Sequence, residues 1–173
     1  AGYLLKPFRK VTVARQLISR DVQMISGAVK ELRQMVKRSK PERPLNVILA
    51  EDNPVNALLA KTMLEKAGHA VHHVTSGLQL LSLLGSKKKF DLAVMDVEMP
   101  ELDGLETTRR VRAMERKSGS ASHLPILALT ANARPENYLE CMAAGMDGHL
   151  SKPFDRQDME EAITKILSLK SAA

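Results

Sequence analysis

Along residues 45–173, short apolar runs alternate with longer stretches whose apolar positions recur every three or four residues. The first pattern belongs to buried strands and the second to helices packed on one face. Leu45–Ala50 reads as the first strand. Val55–Ala67 has helical spacing and ends before Gly68, a C′ glycine. Ala70–Val74 is a second strand, and Leu78–Leu84 a short helix stopped by Gly85. Asp91–Met95 and the helix Leu105–Glu115 follow, then the strand Pro125–Thr130. Pro135–Ala144 is a helix with proline at its start and Gly145 behind it. Gly148–Ser151 is a weak fifth strand, and Arg156–Leu169 an amphipathic helix. Five strand–helix units in succession predict an α/β fold: a parallel sheet with helices on both faces.

In such sheets, sites form at the carboxyl ends of the strands. The residues found there are Glu51 and Asp52, then Asp96, then Thr130, then Ser151 and Lys152. Three carboxylates brought to one edge repel one another unless a positive charge stands among them. Mg²⁺ is the simplest solution, because it takes oxygen ligands and keeps positions open for water and phosphate. A carboxylate such as Asp96 can act as a nucleophile and form an acyl phosphate. Phosphoryl transfer then asks mainly for positioning and charge neutralisation. The three equatorial oxygens would be shared among the metal, the Lys152 ammonium and the Thr130 hydroxyl. Glu51 and Asp52 would hold the ion, and Glu98 would add a backbone carbonyl two residues past the nucleophile. Each residue alone has a plainer reading: Asp96 as a turn or cap, Thr130 as a strand-end hydroxyl, Lys152 as a surface lysine. Their joint spacing outweighs those readings.

The segments Glu51-Asp-Asn-Pro-Val-Asn56, Met95-Asp-Val-Glu-Met-Pro-Glu-Leu-Asp-Gly104, Leu129-Thr-Ala131 and Ser151-Lys-Pro-Phe154 resemble the response-regulator receiver domains of two-component signalling. The form found here is most similar to receivers fused to hybrid sensor histidine kinases, the C-terminal one of a tandem pair. The resemblance implies a flavodoxin-like doubly wound sheet; its strand order, 2-1-3-4-5, comes with the resemblance and not from the pattern. It also implies that Asp96 is the phosphoacceptor, Asp52 a direct metal ligand and Glu51 a second ligand. Thr130 and Lys152 would read the phosphate, Lys152-Pro153 would be a cis peptide, and Gly104 would permit the tight turn behind Pro100. One position departs from the family's common pattern. Three residues before the lysine stands His149, where many receivers carry the Tyr or Phe that moves with Thr130; His149 is the corresponding switch candidate.

Charge divides the chain. Residues 1–44 hold eleven Lys/Arg and three Asp/Glu, whereas residues 45–173 hold fifteen and seventeen. The high overall pI therefore belongs to the first segment, where basic residues interleave with apolar helix positions as on a solvated helix face. No nucleic-acid partner is expected. No apolar run reaches the roughly 18 residues of a membrane span, so this segment is expected to make no membrane contact. The single cysteine, Cys141, suits a reducing, cytoplasmic location. His69, His72 and His73 suggest a metal cluster at first sight. On a strand, however, His72 and His73 point to opposite faces, so surface imidazoles are the expectation.

Arg38 to Pro44 is a linker by composition, since two close prolines stop a helix. Ahead of it, Gly2-Tyr-Leu-Leu-Lys-Pro-Phe8 repeats the pattern of Gly148-His-Leu-Ser-Lys-Pro-Phe154. Residues 1–37 thus resemble the last strand and last helix of a preceding receiver, running into a linker helix. From Ile18 to Val36 the apolar residues follow spacings of 4, 3, 4, 3, 4, a heptad seam suited to self-association.

The function expected is that of a phosphorelay module. It would take a phosphoryl group from the phosphohistidine of a histidine kinase core onto Asp96. It would then pass the group to a histidine phosphotransfer protein or hold it as a switch. The fragment itself is not expected to be an enzyme beyond its own phosphorylation and slow dephosphorylation. Two rivals stand beside this reading. One is an Asp-nucleophile, Mg²⁺-dependent phosphatase, which resembles it in chemistry but carries Asp-x-Asp where this chain has Asp96 and Glu98. The other is a non-phosphorylated interaction module, against which the intact acidic set argues.

Overall fold

The computed structural model describes residues 43–119, 123–131 and 134–171. Its five strands are β1 (Asn46–Ala50), β2 (Ala70–Val74), β3 (Leu92–Asp96), β4 (Ile126–Thr130) and β5 (Gly148–Ser151). They form one parallel sheet in the order β2-β1-β3-β4-β5. The intervening helices are α1 (Pro54–Lys66), α2 (Gly77–Leu84), α3 (Gly104–Ser118), α4 (Pro135–Ala144) and α5 (Arg156–Ser171). The expected doubly wound architecture and strand order are both present.

Burial explains the strand composition. Every residue of β3 and β4 is buried, as are Val47 to Ala50 of β1. These central strands are covered on both faces, so they read as unbroken apolar runs. Alternate residues feed two cores. Val47, Leu49, Leu92, Val94, Leu127 and Leu129 pack with Leu64 of α1 and Met159, Ile163 and Ile166 of α5. Ile48, Ala93, Met95, Ile126 and Ala128 pack on the other face with Leu80 of α2, Val111 of α3 and Cys141 of α4.

Local signals set the helix ends. The Asn53 side chain accepts from the N–H groups of Val55 and Asn56 at 2.9 and 3.2 Å, and Pro54 fills the first helical position. Asp103 caps α3 by accepting from the Glu106 N–H at 2.7 Å. Asp155 and Asp158 exchange side-chain to backbone hydrogen bonds of 2.9 and 3.0 Å at the start of α5.

Three expectations need correction. The third strand begins at Leu92 and runs through Asp96, one residue later than the apolar run suggested. Asp91 instead turns its carboxylate outward, accepting from the Asn46 N–H at 2.9 Å and from Arg43 at 2.7 Å. The helix α3 extends to Ser118, three residues past its last expected position, and closes on Gly119 at φ 61°. Of the three histidines only His73 is exposed as expected. His69 is buried, and its Nδ1 accepts from the Leu45 N–H at 3.3 Å. His72 packs edge-on to Phe90, and His73 Nε2 lies 2.8 Å from the Glu51 carbonyl. They form no metal cluster among the described residues. The receiver remnant and the Ile18–Val36 seam lie outside the described residues.

Candidate functional site

The ladder β1–β2 continues one residue beyond the strand, through a bond from the Glu51 N–H to the Val74 carbonyl at 3.1 Å. Glu51 is therefore fixed at the sheet's edge and is fully buried. Asp52 follows it and is exposed. Asp96 ends β3 and is 5% exposed. Carboxylate oxygens of Glu51, Asp52 and Asp96 lie within 4.8 Å of one another. The strand ends thus bring together the three acids that the sequence placed there.

Lys152 arrives from beyond β5, its N–H bonded to the Thr130 carbonyl at 2.7 Å. The Lys152-Pro153 peptide is cis, as the resemblance implied. Its ammonium bridges two acids, 2.8 Å from Glu51 Oε2 and 2.5 Å from Asp96 Oδ2. Thr130 is buried and, with Glu98 and Ala131, lines a cleft of about 220 Å³. The backbone N–H of Glu98 donates to Asp96 Oδ1 at 3.1 Å, while its side chain is exposed. Gly104 is required by close approach: a Cβ there would stand 2.4 Å from the Asp96 carbonyl oxygen. Its N–H closes the loop on the Val97 carbonyl at 2.9 Å.

The electrostatics are unbalanced. Burial pushes the Glu51 carboxyl above its ordinary range, with the nearby Asp96 charge adding to the rise and the Lys152 hydrogen bond opposing it. Burial disfavours the Lys152 ammonium, but its hydrogen bonds to Asp96 and Glu51 outweigh that cost and hold its pKa above the usual lysine value. Lysine thus keeps its charge, and one ammonium bridges two of three clustered acids. An all-oxygen set with surplus negative charge, one member open to solvent, fits a hard divalent cation.

His149 stands apart from this group. It is exposed on β5, opposite Ala128 in register, and packs edge-on to Tyr138 with ring centroids 4.9 Å apart. Both line a different cleft, of about 400 Å³, with Lys165 and Leu169 of α5. Sequence reasoning missed Tyr138, and it gave no role to the residues that hold Glu51. The Asn53 N–H and the Asn56 carboxamide each donate to Glu51 Oε1 at 3.3 Å. A legible signal was available for Asn53, a cap residue directly before proline.

The response regulator receiver domain model matches residues 47–164. The chain belongs to this family. The receiver is 37% identical to Probable histidine kinase 6 of Oryza sativa subsp. japonica, over 95% of this chain but 18% of that protein. It is 41% identical to Probable histidine kinase 4 of the same subspecies, over 70% of this chain and 14% of that protein. The chain therefore spans under a fifth of the length of these curated relatives. Among solved structures, the receiver is similar to the receiver domain of a sensor histidine kinase from Pseudomonas aeruginosa PAO1. The TM-score is 0.64 and the identity 34%, covering 73% of this chain and 99% of that one. That structure holds a magnesium ion coordinated in its active-site cleft. The receiver is thus a two-component signalling module of the kind found in histidine kinases.

Proposed function

We propose that this receiver accepts a phosphoryl group on Asp96 from a phosphohistidine, with Mg²⁺ held by Glu51, Asp52, Asp96 and the Glu98 carbonyl. The single observation that carries the reading is the sharing of one Lys152 ammonium by the carboxylates of Glu51 and Asp96. In the transfer, an Asp96 carboxylate oxygen bonds to phosphorus while the phosphorus–nitrogen bond breaks, and the imidazole leaves with its electron pair. Lys152 moves its charge toward the incoming phosphoryl oxygens, and the Thr130 hydroxyl donates a hydrogen bond to one of them. Bound Mg²⁺ supplies the remaining charge neutralisation. His149 reports the change only indirectly in this reading, through Tyr138 on α4.

The donor is a histidine kinase core, and the onward partner a histidine phosphotransfer protein. Val55, Leu58 and Leu59 of α1 support a docking partner: they are 74%, 67% and 50% exposed, on the helix that begins just past Asp52. Scattered exposed apolar residues need no explanation, but three together beside a reactive pocket suit an interface. The parent is a cytoplasmic-facing hybrid kinase with tandem receivers, of which residues 1–37 are the end of the first. The heptad seam would join two copies.

Treatment with acetyl phosphate and Mg²⁺ tests the reading. Intact mass should rise by one phosphoryl group, and Asp96→Asn should abolish the rise. A gain that survives Asp96→Asn, or no gain from folded protein that binds Mg²⁺, overturns it.

A further inference from the structure

We infer that Asn56 is a positioning residue for the metal site, acting through Glu51. The inference rests on the proposed Mg²⁺ role and adds to it a residue that touches no reacting atom. In this structure, both oxygens of the buried Glu51 carboxylate are engaged. Oε2 receives the Lys152 ammonium at 2.8 Å, and Oε1 receives the Asn53 N–H and the Asn56 carboxamide at 3.3 Å each. The two oxygens answer to different kinds of partner. Lys152 is a long, mobile side chain, shared with Asp96. Asn53 and Asn56 sit at the head of α1, where the Asn53 cap fixes the first turn.

The consequence follows from the sharing. When Lys152 turns its charge toward a phosphoryl oxygen, Glu51 loses its strongest partner. The α1 donors then hold the carboxylate in place, together with the His73 contact at 2.8 Å that anchors its backbone carbonyl. Of these, the Asn53 N–H is a backbone group that no side-chain replacement removes. Asn56 is the one side-chain donor on Glu51 Oε1 among the described residues. Groups that orient a ligand in this way typically set metal affinity by 10–100-fold, because a carboxylate free to rotate pays its ordering cost on binding.

Asn56→Ala and Asn56→Leu test this together, the second being nearly isosteric and without a donor. Mg²⁺ is titrated into each phosphate-free protein by amide chemical shifts, with thermal unfolding in chelator as the measure of fold. Both variants should bind Mg²⁺ about tenfold more weakly than the parent. Both should keep a cooperative unfolding transition. With acetyl phosphate, the Mg²⁺ concentration for half-maximal rate should rise by the same factor while the rate at saturating Mg²⁺ stays close to that of the parent. Equal Mg²⁺ affinity in all three proteins overturns the inference. So does weakening by Ala alone, which would mark a packing effect. Absence of Mg²⁺ binding in the unsubstituted chain overturns the parent reading instead, so the two failures are distinct.

Discussion

The two ends of the sheet each gather acids around one basic side chain, and they do so to opposite effect. At the amino end, Arg112 of α3 is 8% exposed and reaches four acceptors. Its guanidinium bonds Glu115 at 2.9 Å, Asp147 at 2.9 Å, and the carbonyls of Gly145 and Leu124 at 2.9 and 3.0 Å. The acids are further held by backbone donors, Leu124 N–H to Glu115 at 2.7 Å and Ile126 N–H to Asp147 at 2.8 Å. His123 closes on Asp147 at 2.6 Å. At the carboxyl end, Glu51 and Asp96 share Lys152, and the Asp52 carboxylate lies within 4.8 Å of theirs.

The difference lies in charge and geometry more than in hydrogen-bond count. Among the described residues, no buried side-chain polar atom lacks a partner at either end. A guanidinium is rigid, always charged and forked, so it ties three elements into one arrangement. An ammonium is a point charge on a flexible stem, and it can leave one partner for another. The amino end is a filled cluster whose value is structural. The carboxyl end is left short of positive charge, an arrangement that suits a cation.

Four experiments bear on that contrast. Arg112→Met should have the largest effect on stability, about 3–5 kcal/mol by urea unfolding, because it strands two carboxylates that are mostly buried. Acceptance of phosphate by the fraction still folded should be unchanged. A loss under 1 kcal/mol would make the amino cluster no firmer than a surface pair.

Lys152→Met should leave the fold largely intact but slow phosphorylation by acetyl phosphate about 10²–10³-fold, the usual cost of removing one charge-stabilising donor. Its Mg²⁺ affinity should rise, since a competing cation is gone. An unaltered rate would show that the lysine is merely structural, like Arg112.

Asp52→Asn comes next. It should weaken Mg²⁺ binding about tenfold, and raise the metal-free unfolding temperature by easing repulsion with Glu51 and Asp96. If the metal-free protein is instead destabilised, the carboxyl end is not overcharged and the contrast with the amino end fails.

The smallest effect concerns His69, also at the amino end. Burial holds its pKa below the ordinary 6.5, against a weaker upward pull from Glu160 of α5. The unfolded chain therefore takes up the proton first as pH falls. This contribution to stability is present above pH 6.5 and is lost as pH drops through 6.5 toward the folded value. His69→Asn, which keeps an acceptor for the Leu45 N–H, should flatten that part of a stability–pH curve. An identical slope in both proteins would assign it to other groups.

Much of this was legible beforehand because the local signals agreed with the global fold. Unbroken apolar runs marked β1, β3 and β4, and glycine and proline punctuation marked the ends of α1 and α4. The acids at the strand ends needed only the topology of a parallel sheet to converge. What was hidden has a common cause. Arg112 lies in a strongly polar helix, and nothing in its neighbours reveals that its guanidinium turns inward. His69 looks like a loop residue until Leu45 is seen to need an acceptor. Tyr138 and His149 are eleven residues apart and meet only because α4 packs beside β5.

By itself, then, the sequence determined the strand–helix alternation, the identity of the clustered acids and their common edge, since these depend on periodicity and on strand ends. The tertiary structure decided which polar groups became buried, which oxygen each donor reaches, and how one lysine is divided between two acids. Those depend on distances of a few ångströms between residues far apart in the chain, such as Lys152 and Glu51, and no local pattern encodes them.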